Sequence, residues 1–133
     1  MVLTHLAVAI EQVEPMKVLI VDDSQPVRRM IASFLDDVVD EFFECEDGSN
    51  VLTAYREHRP DVVLMDIKMR RVDGFEATAN IKKAFPDARV IVVSQWDTTE
   101  LRQLAKKSGA DAYVSKSNLQ PLGEFIESIA KPT

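Results

Sequence analysis

The chain has one cysteine in 133 residues, so Cys45 cannot form an internal disulfide and no cysteine cluster can hold a metal. Lying behind Phe42, Phe43 and Glu44, it reads as a buried thiol on a strand, and a reducing cytoplasm is the expected location. Glycine is scarce as well, at four residues. No GxGxxG and no phosphate-cradling P-loop occur among them, which excludes the common nucleotide folds. Positive charge is in deficit, with 16 Lys and Arg against 22 Asp and Glu for a net charge of −6. A general nucleic-acid or membrane-surface binder needs a basic face, so neither class fits. No apolar run approaches the roughly 20 residues of a membrane span. The first fourteen residues lack a basic start, and Glu11 and Glu14 fall where a signal peptide would be cleaved, so they do not read as a secretory signal.

What the chain does have is a set of apolar runs that each end on a reactive side chain. Lys17–Val21 runs into Asp22 and Asp23, Asp61–Met65 into Asp66, and Arg89–Val93 into Ser94. Ala112–Val114 leads through Ser115 to Lys116. With Glu41–Cys45 these make five strand candidates, and helical spacing recurs between them. Val27, Met30, Ile31, Phe34, Leu35 and Val38 predict a helix after the first run, with Ser24 as its N-cap and Pro26 in its first turn. Ser49–His58 predicts a second helix, with Val51, Leu52 and Tyr55 inward. Gly74–Phe85 predicts a third, through Ala77, Ile81 and Phe85. Asp97 to Glu100 has capping-box spacing ahead of a fourth helix with Leu101, Leu104 and Ala105 inward and Gly109 at its end. Leu122, Phe125, Ile126 and Ile129 mark the last. Alternation of this kind with right-handed crossovers implies an α/β fold, a (βα)5 doubly wound, five-stranded parallel sheet between helices.

In such a sheet the loops at the carboxyl ends of the strands converge on one crevice. Adjacent carboxylates at 22 and 23, with a third at 66, repel one another unless a cation is present. Mg2+ takes oxygen ligands and keeps several waters, so few carboxylates suffice. Asp66 reads as either a further ligand or a nucleophile toward phosphorus. The Ser94 hydroxyl and the Lys116 ammonium could then serve the phosphoryl oxygens. A haloacid-dehalogenase-like phosphatase needs Asp-x-Asp on one strand, but Lys68 stands two past Asp66. A flavodoxin-like flavin carrier needs a Ser/Thr/Gly-rich loop after the first strand, where Asp22-Asp23 would repel the phosphate.

The motifs Val-Asp22-Asp23-Ser, Val-Leu-Met-Asp66-Ile-Lys-Met69, Asp73-Gly74, Val-Val-Ser94, Gly109-Ala-Asp111-Ala-Tyr113 and Val-Ser-Lys116 are similar to those of two-component response-regulator receiver domains. The resemblance implies the flavodoxin-like receiver fold over one domain, 16–133, preceded by an N-terminal extension, 1–15, in which Leu3, Leu6, Ile10 and Val13 could line a short helix. It implies that Asp66 accepts a phosphoryl group from a histidine kinase or a phosphotransfer protein. Asp23, Asp66 and the backbone carbonyl of Lys68 would bind Mg2+, Asp22 would contribute through water, and Lys116 would bind the phosphoryl group. Ser94 and Tyr113 would form a switch pair acting on the face of the fourth helix, fifth strand and fifth helix. The chain is then a phosphorylation-activated signalling switch, not an enzyme beyond its own phosphorylation and dephosphorylation.

The chain departs from the family at Arg70 and Ser117, where proline is usual, and at Gln95, where a small residue is usual. Only Lys131-Pro-Thr133 follows Ala130, so output is expected through a downstream protein target or a phosphorylation-dependent homodimer, with no direct nucleic-acid binding. A receiver cut from a larger DNA-binding response regulator would read the same way. A phosphorylation-independent interaction module on this fold is the remaining alternative.

Overall fold

A computed structural model describes residues 14–69 and 71–130. The strands are β1 (Lys17–Val21), β2 (Glu41–Cys45), β3 (Val62–Met65), β4 (Val90–Ser94) and β5 (Ala112–Ser115). The helices are α1 (Gln25–Phe34), α2 (Val51–His58), α3 (Gly74–Ala84), α4 (Thr99–Ser108) and α5 (Gln120–Ala130), with a 3-10 turn at Gly48–Asn50. All strands pair in parallel, in the order β2-β1-β3-β4-β5. The order reverses direction between β1 and β3, so the crevice opens above the carboxyl ends of these neighbours. The N-terminal extension expected over 1–15 falls outside the described residues except for its last two, and so does Arg70.

The strands read as unbroken apolar runs because both faces of the sheet are covered. Val18 and Ile20 of β1 join Val62 and Leu64 of β3 in one core with Ile31, Leu35, Leu122 and Ile126 of the α1–α5 side. Leu19, Val21, Val63 and Met65 point the other way, to Val51, Tyr55, Ala77 and Ile81 of α2 and α3. Cys45 is buried in this second core, and burial, followed by the Asp47 charge, pushes its pKa up to about 11. The thiol is therefore inert at neutral pH. Among the described residues no helix is long and apolar enough to cross a membrane.

Several helix signals hold locally. Ser24 Oγ accepts from Val27 N at 3.3 Å, Pro26 lies in the first turn, and Gly109 ends α4 with a left-handed φ of 101°. Others give way to competing contacts. The N-cap of α4 is Thr98, whose Oγ1 accepts from Leu101 N at 3.1 Å, and not Asp97. Asp97 instead takes both arms of Arg102, five residues on, at 2.6 and 3.1 Å. Met30, Phe34 and Leu104, expected inward, are 42%, 50% and 47% exposed. On α1 the buried line is Arg28, Ile31 and Leu35, which rotates Met30 and Phe34 to the outside.

Candidate functional site

Pairing continues one residue past the strands and brings the reactive side chains level. Asp22 N donates to Cys45 O at 3.0 Å, Asp66 N to Val21 O at 2.9 Å, and Lys116 N to Ser94 O at 2.8 Å. A cleft of about 500 Å3 results, lined by Asp22, Asp23, Asp66, Lys68 and Lys116, with Trp96 at its side. One carboxylate oxygen from each of Asp22, Asp23 and Asp66 lies within 4.8 Å of the others. Asp22 and Asp66 are buried, and Asp23 is exposed.

Lys116 is the counter-charge. Its Nζ stands 2.8 Å from Asp22 Oδ2 and 3.3 Å from Asp66 Oδ1. The Asp22 contact is the shorter of the two and joins two groups that are both largely withdrawn from solvent. Asp22 Oδ1 accepts from Ser24 N at 2.9 Å. Burial raises the Asp66 pKa, the Asp22 charge raises it further, and Lys116 only partly offsets both. Burial alone would depress Lys116, but its contact with Asp22 and the charges of Asp66 and Asp22 outweigh that and leave it raised. Three carboxylate oxygens this close, with one ammonium between two of them, suit a hard divalent cation such as Mg2+.

Two loop features hold Asp66 in place. Its Oδ1 accepts from Ile67 N at 2.9 Å. Gly74, the first residue of α3, donates to Ile67 O at 3.1 Å and lies against the Asp66 backbone. A Cβ at position 74 would fall 2.0 Å from Asp66 O and 2.7 Å from Ile67 Cα. Asp73 Oδ1 caps that helix by accepting from Glu76 N at 2.8 Å.

Ser94 and Tyr113 lie beside the cleft and do not line it. They meet on one residue. Trp96 N donates to Ser94 Oγ at 3.0 Å, and Tyr113 Oη donates to Trp96 O at 2.5 Å. Ser94 is fully buried, Tyr113 is half-buried, and the Arg102 guanidinium stacks 5.0 Å from the Tyr113 ring centre. Trp96 is 49% exposed, with Lys68 Nζ 5.9 Å from its ring centre across the cleft mouth. The Lys116–Ser117 peptide is trans, and the turn after it is built from serine hydroxyls: Ser117 N donates to Ser115 Oγ at 3.2 Å.

Sequence reasoning passed over Arg28. It is 8% exposed, donating from Nη1 to Asp22 O at 2.6 Å and from Nε to Glu44 Oε1 at 2.7 Å. It thereby holds the backbone that carries the two adjacent carboxylates. The signal was available: positions 28, 31 and 35 share one helical face, and a basic residue there must find buried acceptors.

The profile of the response regulator receiver domain matches residues 18–127. The chemotaxis protein CheY of Halobacterium salinarum is 36% identical over 105 residues, which are 79% of this chain and 88% of that protein. The response regulator protein VraR of Staphylococcus saprophyticus subsp. saprophyticus is 35% identical over 119 residues. These are 88% of this chain but 56% of VraR, so the chain spans little more than half of that relative's length. Among solved structures, CheY in the CheX-CheY-BeF3-Mg2+ complex from Borrelia burgdorferi superposes with a TM-score of 0.74 at 27% identity. That match covers 88% of this chain and 91% of the other, and the shared architecture is the CheY-like receiver fold.

Proposed function

The chain belongs to the response regulator receiver domain family, and from that membership we propose that it is a phosphorylation-driven signalling switch with Asp66 as the phosphoacceptor. The observation that carries this reading is the cleft itself, where the three clustered carboxylates face the partly buried ammonium of Lys116. A histidine kinase or phosphotransfer protein supplies the phosphoryl group. An Asp66 carboxylate oxygen bonds to phosphorus as the bond from phosphorus to the donor breaks, and the donor leaves with that electron pair. Asp22, Asp23, Asp66 and the Lys68 carbonyl are the groups that would hold Mg2+, which screens the carboxylates and the incoming phosphoryl oxygens. Lys116 leaves its carboxylate contacts to meet the new phosphoryl charge. Ser94 turns from Trp96 N toward the same charge, and Tyr113, tied to the carbonyl of that same residue, transmits the shift to α4, β5 and α5. A partner that prefers the shifted face draws the equilibrium by its differential affinity.

Intact-mass measurement after incubation with acetyl phosphate and Mg2+ tests the reading. One added phosphoryl group is expected, and none when EDTA replaces Mg2+. Mg2+ binding without any mass gain would instead make the chain a phosphorylation-independent interaction module. Hydrogen exchange with beryllofluoride is expected to change across residues 102–107 and at Tyr113. A change confined to α2 and α3 would refute the output face.

Lys116→Ala should leave Mg2+ affinity unchanged or improved, because the ammonium competes with a metal for Asp22 and Asp66. The beryllofluoride response at Tyr113 should be lost. Trp96 fluorescence follows the metal titration, and a tenfold weaker Mg2+ affinity would assign Lys116 a supporting role at the metal.

Trp96→Ala should shorten the lifetime of the phosphorylated protein several-fold. The indole beside Lys68 narrows the mouth through which an in-line water must pass. Phosphoryl decay measured without any partner checks this, and equal rates would leave Trp96 as a docking residue.

A further inference from the structure

We propose that the groove between α1 and α5 docks a cationic amphipathic helix of a partner protein. The groove has a volume of about 370 Å3 and shares no residue with the acidic cleft. Val27 borders the cleft and Phe34 the groove, so about 10 Å of helix lie between the two sites. Leu35 and Val38 line it together with Phe34, which leaves half its surface in solvent. Opposite Phe34 stands Gly123, and a Cβ there would lie 3.9 Å from Phe34 Cε1. The missing side chain leaves a slot beside an aromatic edge, which suits an apolar anchor residue of a helix.

The rim decides the sign of the partner. Asp37, Glu124 and Glu127 line the groove, no Lys or Arg does, and none of these carboxylates has an ion-pair partner among the described residues. Lysines or arginines flanking the apolar stripe of a partner helix would meet them directly. A second copy of this chain packed on the same face would bring another set of the same three carboxylates against the first. The chain's own residues 1–13 contain no Lys or Arg to answer that charge. A basic partner helix is the occupant that satisfies both the slot and the rim.

The test uses the full chain, without phosphodonor, so its outcome is independent of the role of Asp66. The probes are a fluorescein-labelled helical peptide of Leu and Lys, with its Leu and Glu counterpart as control, read by anisotropy. The Leu/Lys peptide should bind and the Leu/Glu peptide should not. Gly123→Leu keeps every charge, suits a helix interior and fills the slot, and should weaken binding at least tenfold. Phe34→Ala should do the same. Combined D37N, E124Q and E127Q should weaken binding similarly and flatten its salt dependence, whereas Glu57→Gln with Asp87→Asn should change nothing. Undiminished binding to Gly123→Leu would overturn the proposal in favour of diffuse charge attraction. So would self-association of the wild type that Gly123→Leu abolishes. Removal of residues 1–13 tightening the peptide tenfold would make that segment the natural occupant and overturn the proposal equally.

Discussion

Asp66→Asn is expected to take up no phosphoryl group from acetyl phosphate and Mg2+, and in EDTA to melt at a higher temperature than the wild type. The amide preserves the volume and can still accept from Ile67 N, but it removes the nucleophilic oxygen. The stability gain comes from the same burial that suits the group to its task. Asp66 is 7% exposed, its pKa is raised first by burial and then by Asp22, and Lys116 offsets only part of this. A carboxyl with a folded-state pKa above its ordinary 3.8 binds protons more readily in the native state than in the unfolded state. Its contribution to stability is therefore present at low pH and lost as pH rises from about 4 through the raised folded-state value. The melting-temperature gap between variant and wild type should nearly close below that window and open above it. Thermal scans at several pH values in EDTA check the sign. A variant that melts below the wild type at neutral pH would mean that the Lys116 pairing outweighs burial and repulsion.

Gly74→Ala is expected to do comparable damage from a position that touches no substrate. The new Cβ would meet Asp66 O at 2.0 Å, Ile67 Cα at 2.7 Å and Asp66 C at 2.8 Å, all main-chain atoms that cannot swing aside. Either α3 retreats or the backbone carrying the acceptor carboxylate is displaced. Overpacking of this kind costs about 3 kcal/mol, and displacement of a reacting group by about 1 Å can slow its chemistry roughly 100-fold. Urea unfolding and single-turnover phosphoryl uptake should both report the damage. Gly123→Ala is the internal control. Its Cβ meets only Phe34 Cε1, at 3.9 Å, and the substitution within α5 should be neutral or stabilise by up to about 1 kcal/mol. A Gly74→Ala protein as stable and as fast as the wild type would show that the close approach relaxes without cost.

The strands were legible because their apolar runs are short and uninterrupted and each stops on a charged or hydroxyl residue. That pattern located Asp22, Asp66, Ser94 and Lys116 without any contact information. The expected starts of β3 and β4 were each one residue early, at Asp61 and Arg89, although both still share a backbone hydrogen bond with the neighbouring strand. Helix faces were less legible. Helical spacing on α1 admits two apolar lines, one through Met30 and Phe34 and one through Ile31 and Leu35. Only packing against β1 and α5 chooses the second. Leu104 on α4 is exposed for a similar reason, since Ala105 is the residue that reaches Val92 and Ile67.

Period and polarity along the chain determined the order of elements, the parallel sheet and the edge at which the reactive groups collect, because these follow from local repeat and from the handedness of crossovers. Tertiary structure decided what each reactive group pairs with. That Lys116 bridges Asp22 and Asp66, that Arg28 reaches Glu44 on β2, and that Tyr113 bonds the carbonyl of the residue whose N–H Ser94 holds all depend on distances between separate elements. Asp97 is decided more locally, leaving the cap role to Thr98 and pairing with Arg102 five residues on. A charge chooses its partner by proximity and desolvation in three dimensions, and neither is written in sequence spacing.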